Sequence, residues 1–184
     1  MRVVAGEAKG RRLVSPPAAT TRAATERIRE SLFAILDPML EDARVLDLFA
    51  GAGSLGIEAL SRGAAHATFV ERDRNALAAI RANVEATGMR DRARVVAANV
   101  TAFLGRAGGP YDLVFCDPPF AEADLLSATL AHEGLRASLA PGALVVARVL
   151  RKHRPALPPD ARVERAKPIG EETLLFLRYD AAAS

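Results

Sequence analysis

Cysteine, tryptophan, histidine and lysine are scarce in this 184-residue chain: one, none, three and three. The lone cysteine, Cys116, cannot close an internal disulfide, which suits a reducing compartment. Without cysteine pairs, and with the histidines scattered, no structural zinc site is expected, nor another bound metal. Long apolar runs are missing too. The longest stretch free of Asp, Glu, Lys and Arg is eleven residues, against the roughly 20 that a membrane span requires. Residues 1–12 contain no apolar core of the secretory kind, so a cytoplasmic protein without membrane contact is expected. The rest is ordinary for a globular chain: 50% hydrophobic and 26% charged residues. That excludes a disordered, collagen-like or coiled-coil protein. The length suits one domain with a single sizeable core.

Positive charge is unevenly placed. The net charge is +3, yet residues 1–30 carry +4, residues 31–147 carry −4 and residues 148–167 carry +5. Two basic segments flank a mildly acidic middle. This suits a polyanion such as nucleic acid, and equally describes a solvated surface.

Residues 2–5 and 11–14 are short β-prone runs around Ala8-Lys9-Gly10 and predict a hairpin. Ser15-Pro16-Pro17 then breaks regular structure. From about Thr25, Ile28, Leu32, Ile35 or Leu36, and Leu40 recur at helical spacing, and Pro38 should end or kink that helix. Strands and helices alternate after it. The expected strands are 45–49, 67–71, 94–98, 111–116 and 143–149. The expected helices are 54–62, 73–87, 101–104 and 122–138. A Pro-rich loop at 155–159 separates two last strands near 161–166 and 173–179. Such alternation predicts an α/β, Rossmann-like fold, a mostly parallel seven-stranded sheet with helices on both faces. The expected division is a basic hairpin arm over 1–20 and one domain over 21–184. In such sheets ligands bind outside the carboxyl ends of the strands.

Two of those strand ends carry motifs. After the first, Gly51, Gly53 and Gly56 form G-x-G-x-x-G between a strand and a helix, which allows tight turning and close approach of a ligand. Alone this is a weak signal, shared with structural turns. Glu71 strengthens it: twenty residues past Gly51, it ends the second strand, where a carboxylate can accept hydrogen bonds from ribose hydroxyls. Asp47 lies four residues before the glycines. A dinucleotide pyrophosphate gains nothing from that charge, whereas a cationic sulfonium and amino-acid head would. Asp47 could also simply cap the glycine loop. The stretch Asp47-Leu48-Phe49-Ala50-Gly51-Ala52-Gly53 resembles the first motif of class I methyltransferases, which implies S-adenosylmethionine held by Asp47, Phe49, Gly51, Gly53, Gly56 and Glu71.

The fourth strand ends in Asp117-Pro118-Pro119-Phe120. Two prolines fix a rigid, extended turn and stop the strand, and Asp and Pro are common in plain terminators as well. In that place the motif resembles that of amino-group methyltransferases. An exocyclic base amine is a poor nucleophile because its lone pair is delocalised into the ring. A carboxylate (Asp117) and a carbonyl (Pro118) accepting its two N–H bonds would favour a pyramidal nitrogen and stabilise developing charge. Phe120 would stack on the extracted base. These three are the candidate catalytic residues. Cys116 reads as a buried strand residue rather than a nucleophile.

Taken together, the chain resembles the RsmD family, which methylates a guanine N2 amine in small-subunit ribosomal RNA. Three places carry the likeness: residues 2–13, residues 20–33, and residues 46–64 followed by Glu71 and Asp117-Pro118-Pro119-Phe120. The resemblance implies ribosomal RNA as acceptor, within the small subunit or its assembly intermediate. It also implies that Arg22, Thr25, Arg27 and Arg29 border the active site as substrate or cofactor contacts; a helix with a solvated basic face is the plainer alternative. Arg11 and Arg12 would grip phosphates, together with the basic segment 148–167. There are departures. Many relatives carry Asp at the third strand end, where Asn99 stands here as an acceptor for the adenine amine. The fifth strand, ending Val145-Val146-Ala147-Arg148, lacks the acidic residue common in relatives. A DNA adenine-N6 or protein-glutamine methyltransferase shares the two-motif logic. A dinucleotide oxidoreductase or a non-catalytic RNA-binding protein could share the fold, but Asp47 and Asp117 speak against those. One active-site face on a small domain is consistent with a monomer.

Overall fold

Val45-Leu46, Ala67 to Val70, Leu113 to Cys116 and Leu144 to Ala147 are buried on both sides, the pattern of strands covered by helices on two faces. The computed structural model describes residues 1–16, 24–106, 108–119 and 123–180. The strands are β1 (Arg44–Leu48), β2 (His66–Glu71), β3 (Ala93–Ala97), β4 (Tyr111–Cys116), β5 (Leu139–Leu150), β6 (Ala161–Ile169) and β7 (Glu172–Tyr179). The helices are α1 (Glu26–Leu36), α2 (Ser54–Ser61), α3 (Arg74–Ala86), α4 (Val100–Leu104), α5 (Ala123–Leu130) and α6 (Glu133–Ala137). One seven-stranded sheet runs in the order β3-β2-β1-β4-β5-β7-β6. β1 to β5 pair in parallel, and β7 is antiparallel to both β5 and β6. This is the expected mostly parallel, Rossmann-like arrangement. The order reverses between β1 and β4, so a crevice for ligands opens at their carboxyl ends.

The two sheet faces carry separate cores. On one, Phe33, Phe69, Phe115 and Phe176 meet the aliphatic side of α1 and α2, with Phe33 and Phe115 rings 5.8 Å apart. On the other, Leu46, Leu48, Val114, Val145 and Leu177 pack with Leu104, Leu126, Leu130 and Leu135. Successive residues of a strand alternate between the two, as Val114 and Phe115 do.

Helix α1 ends at Leu36, and a 3-10 turn takes Asp37 to Met39, the effect expected of Pro38. The N-terminal hairpin is slighter than expected. It has a single bridge, Arg2 to Arg12, with Val3 N–H donating to the Arg11 carbonyl at 3.0 Å and Leu13 N–H to the Met1 carbonyl at 2.8 Å. Its attachment lies elsewhere. Val3, Ala8 and Leu13 are buried in the core. Val4 and Ala5 N–H donate to the Glu58 carboxylate at 2.8 and 2.9 Å, and Ala8 N–H donates to Ser61 Oγ at 3.0 Å. The expected division at residue 20 falls at 17–23, outside the described residues.

Two elements depart from the reading of the sequence. The single helix over 122–138 is two, because His132 adopts an extended conformation and its Nδ1 accepts from Gly134 N–H at 3.0 Å, starting a new helix. The break brings Gly134 so close to α4 that an added Cβ would lie 1.9 Å from the Leu104 carbonyl oxygen. Second, β5 begins at Leu139 and runs through Pro141-Gly142. The interruption is absorbed in the strand: Gly142 has φ +73°, and the register against β4 shifts between Tyr111 and Leu113.

Candidate active site

The loop from Phe49 to Gly53 leaves β1 and enters α2. Its path uses left-handed backbone at Phe49 (φ 62°), Gly51 (56°) and Gly53 (78°). A left-handed phenylalanine is strained, and such strain concentrates at functional sites. The glycines do different work. A Cβ on Gly51 would meet nothing within 4 Å, so its surface is open to a ligand. A Cβ on Gly56 would lie 2.3 Å from Phe69 Cε1, so this glycine lets α2 press on β2.

Two carboxylates hold the loop. Asp47, 1% exposed, accepts from Gly56 N–H through Oδ2 at 3.0 Å. It thus satisfies a first-turn amide of α2, whose N-cap Gly53 has no side chain to do so. Burial pushes the Asp47 carboxyl well above the usual range, the Gly56 amide opposes this, and the charges of Asp117 and Glu71 push it further up. Glu71 accepts from Gly51 N–H through Oε2 at 2.9 Å, and through Oε1 from Arg72 and Asp73 N–H at 2.7 and 2.9 Å. It stands at the end of β2, beside the open face of Gly51. A third clamp was missed in the reading of the sequence. Asn83, buried in α3, donates to the Ala52 carbonyl at 2.9 Å and exchanges two hydrogen bonds with Val14 of the N-terminal segment. An apolar-face asparagine in a helix is the signal for such a buried link.

The set suits an adenosine-type cofactor. The open glycine is where backbone can approach a ligand, and Glu71 is a carboxylate at ribose position. Asn99 caps α4, accepting from Thr101 N–H through Oδ1 at 2.9 Å, and is exposed. One oxygen lone pair and the amide NH₂ remain for a base edge.

Pairing places the second motif against the first. Asp47 is opposite Phe115 and Leu48 opposite Cys116, so Asp117 emerges next to the glycine loop. Pro118 is buried and Pro119 half-buried. Cys116 is fully buried, and burial together with the Asp117 charge pushes its thiol up, as suits a strand residue and not a nucleophile. Asp117 Oδ1 accepts from Arg148 Nε at 2.8 Å, and Arg148 NH1 donates to Glu172 Oε2 at 3.1 Å. Beside this group, a cavity of about 210 Å³ is lined by Pro118, Pro119, Ser127, Arg148, His153 and Arg154 among others. Sequence reasoning missed Glu172 and the buried place of Arg148. The signal was available: a lone charge in the apolar run 143–150 demands a buried partner.

The structure places the remaining candidates as follows. Phe120 and Arg22 lie outside the described residues. Arg11, Arg12 and Arg27 are exposed. Thr25 is the N-cap of α1, its Oγ1 accepting from Ile28 N–H at 3.3 Å. Two arginines need correction. Arg29, expected as a substrate contact, is 0% exposed and donates to the Arg2 carbonyl at 2.6 Å, so it ties the N-terminal segment to α1 beneath the surface. Its Nε and NH1 have no partner among the described residues, and burial lowers its pKa against the pull of Glu58, Glu26 and Glu30. Arg148, counted in a phosphate-gripping segment, is 5% exposed and points at Asp117. Among the described residues, no group of three or more His, Cys, Asp and Glu could hold a metal, and no helix is long and apolar enough to cross a membrane.

Known proteins share this arrangement. A family model described as "Conserved hypothetical protein 95" matches residues 1–178. The chain is 40% identical over 182 residues to "Ribosomal RNA small subunit methyltransferase D" of Escherichia coli (strain K12), covering 98% of this chain and 91% of that one. The solved structure of the Escherichia coli protein yhhF is similar with a TM-score of 0.86, at 37% identity and 98% of each chain. A structure from Thermus thermophilus gives a TM-score of 0.79 at 32% identity, over 96% of this chain and 98% of that one.

Proposed function

This chain belongs to the conserved hypothetical protein 95 family, the family of ribosomal RNA small subunit methyltransferase D, and from that premise we propose that it transfers a methyl group from S-adenosylmethionine to the N2 amine of a guanine in small-subunit ribosomal RNA. One observation carries the reading. The Asp117-Pro118-Pro119 turn and the open face of Gly51 meet at the same switch point of the sheet, one beyond β4 and one beyond β1. An amine acceptor and a cofactor edge are thereby brought together.

S-adenosylmethionine, when bound, supplies a methyl group already activated by its sulfonium. The Gly51–Gly53 backbone and Glu71 would hold its adenosine part, and Asp47 would face its positive end. Asp117 accepts one N–H of the guanine amine and the Pro118 carbonyl accepts the other. These bonds turn the nitrogen lone pair out of conjugation and aim it at the methyl carbon. Asp117 would offset the positive charge that develops on the amine nitrogen as it takes up the methyl group. The surplus proton then leaves that nitrogen for solvent, with Asp117 as its nearest acceptor. Pro118 and Pro119 keep the turn rigid, so both acceptors are set before substrate arrives. Phe120 would stack on the base once it is drawn from its helix. Arg11, Arg12 and Arg27 would meet phosphates outside the crevice.

The acceptor is tested with labelled S-adenosylmethionine offered to unmodified small ribosomal subunits, free ribosomal RNA and duplex DNA in parallel. Label in ribosomal material alone is the expected result. Label in DNA would move the function to the adenine-N6 enzymes.

A further inference from the structure

Arg148 is the one arginine of β5, and it sits where the sheet register puts it beside the catalytic turn. Cys116 is opposite Ala147, so the next residues in each strand, Asp117 and Arg148, face each other. On its other side Arg148 is opposite Leu174, two residues into β7 from Glu172. The guanidinium therefore lies between two carboxylates. Its side chain is 4% exposed, against 14% for Asp117 and 11% for Glu172. A lone charge at this depth would be strongly unfavourable, and the fork of an arginine can engage two carboxylates at once where a lysine cannot.

We propose that Arg148 is a positioning residue for methyl transfer: it binds Asp117 and Glu172 with two edges of one guanidinium and so fixes the Asp117 carboxylate with one oxygen turned to the target amine. Nε donates to Oδ1 at 2.8 Å and NH1 donates to Glu172 Oε2 at 3.1 Å; we assign the other oxygen of Asp117, Oδ2, to the substrate. Glu172 acts at one remove, holding the far side of the guanidinium so that it cannot swing. This deepens the proposed function and rests on it, since it assigns a task to the same turn.

The same contacts set the ionisation of the site. Burial pushes the Asp117 carboxyl up, Arg148 pulls it back by charge and hydrogen bond, and Glu172 pushes it up again. The other titratable neighbours are Asp47 of β1 and the Cys116 thiol, both of which feel the Asp117 charge. Asp124, His153 and Arg154 line the adjoining cavity. Of all these, Arg148 is the cation bonded to Asp117, so removing it leaves a carboxylate that protonates more easily.

The test is the pH dependence of turnover on unmodified small subunits, for wild type, Arg148→Met and Arg148→Lys, with S-adenosylmethionine binding measured by calorimetry. Wild type should lose activity on the acid side of its profile, as Asp117 protonates. Arg148→Met should move that acid limb up by about one to three pH units and lower turnover at pH 7 about tenfold or more, while cofactor affinity stays within about threefold. Arg148→Lys should return the limb toward wild type and recover part of the turnover. An Arg148→Met enzyme whose loss is the same at every pH, or which loses nothing, overturns the inference. If that variant does not fold, Arg148→Lys decides: turnover equal to wild type at every pH means that the two-edged fork of Arg148 does not position Asp117. A wild-type enzyme that methylates no guanine amine sinks the functional reading itself, whatever the variants do.

Discussion

Asp47 near the end of β1 and Asp117 just past β4 are both pushed upward by burial, but their partners differ. Asp47 has one amide, and Asp117 has an arginine. A carboxyl raised on folding favours the folded state at low pH, and that contribution is lost as pH rises from the unfolded value near 3.8 toward the folded one. At neutral pH Asp47 is therefore a cost to stability. Asp47→Asn keeps an acceptor for Gly56 and removes the buried charge. It should raise the unfolding free energy at pH 7 by up to about 2 kcal/mol, a gain that fades toward about pH 4, while weakening S-adenosylmethionine binding. Denaturant titrations at the two pH values and calorimetry check both halves. Asp117→Ala should cut turnover at least about a hundredfold with cofactor affinity kept within about threefold; loss of cofactor binding would make Asp117 structural. The motif carboxylates were legible because chemistry dictates their residue type and their place after a strand. The burial of Arg29 was not, and that of Arg148 was signalled only by its place in the apolar run 143–150. Counting charge along a chain treats every arginine as surface and so misplaces those that the fold encloses.

The elements explain where reading by pattern succeeds. Strands β1, β2 and β4 are largely apolar runs between turn residues, so type and limits follow from hydropathy and Gly or Pro punctuation. Strand β5 contains Pro141-Gly142 yet reaches back to Leu139, because a register shift accommodates the break against β4. Helices α5 and α6 share one hydrophobic period, and only the cap formed by His132 separates them. Both misreadings come from tertiary packing overriding local punctuation. The glycines of the first motif separate in the same way. Gly51 keeps an open face and Gly56 makes room for Phe69, a side chain that is fully buried and has no room to retreat. Gly56→Ala should therefore cost about 1–3 kcal/mol of stability, read as a lower denaturation midpoint. An alanine at Gly51 should leave packing untouched, with only the cost of its left-handed backbone, and should show instead in cofactor affinity.

For the whole molecule, the parallel order β3-β2-β1-β4-β5 opens the crevice at the carboxyl ends of the central strands β1 and β4. The N-terminal segment docks on the α2 and α3 side through Glu58, Ser61 and Asn83, and its Arg11 and Arg12 remain exposed. The segment is thus fixed to the body while its cations face outward. Replacing both with alanine should weaken binding to ribosomal RNA and reduce the slope of log affinity against log salt by about 1.4, two phosphate contacts at about 0.7 each. An unchanged slope would mean that these arginines do not contact phosphate.

Asp117 and the glycine loop are proposed to cooperate in methylating a guanine amine. The most direct test is the identity of the product nucleoside. Small subunits lacking the modification are treated with wild-type enzyme or Asp117→Ala and labelled S-adenosylmethionine, then digested and resolved by chromatography and mass spectrometry. A single labelled product, N2-methylguanosine, is expected from wild type and none from Asp117→Ala. Label on an adenine or on a ring nitrogen of guanine, or undiminished N2-methylguanosine from Asp117→Ala, would contradict the proposal.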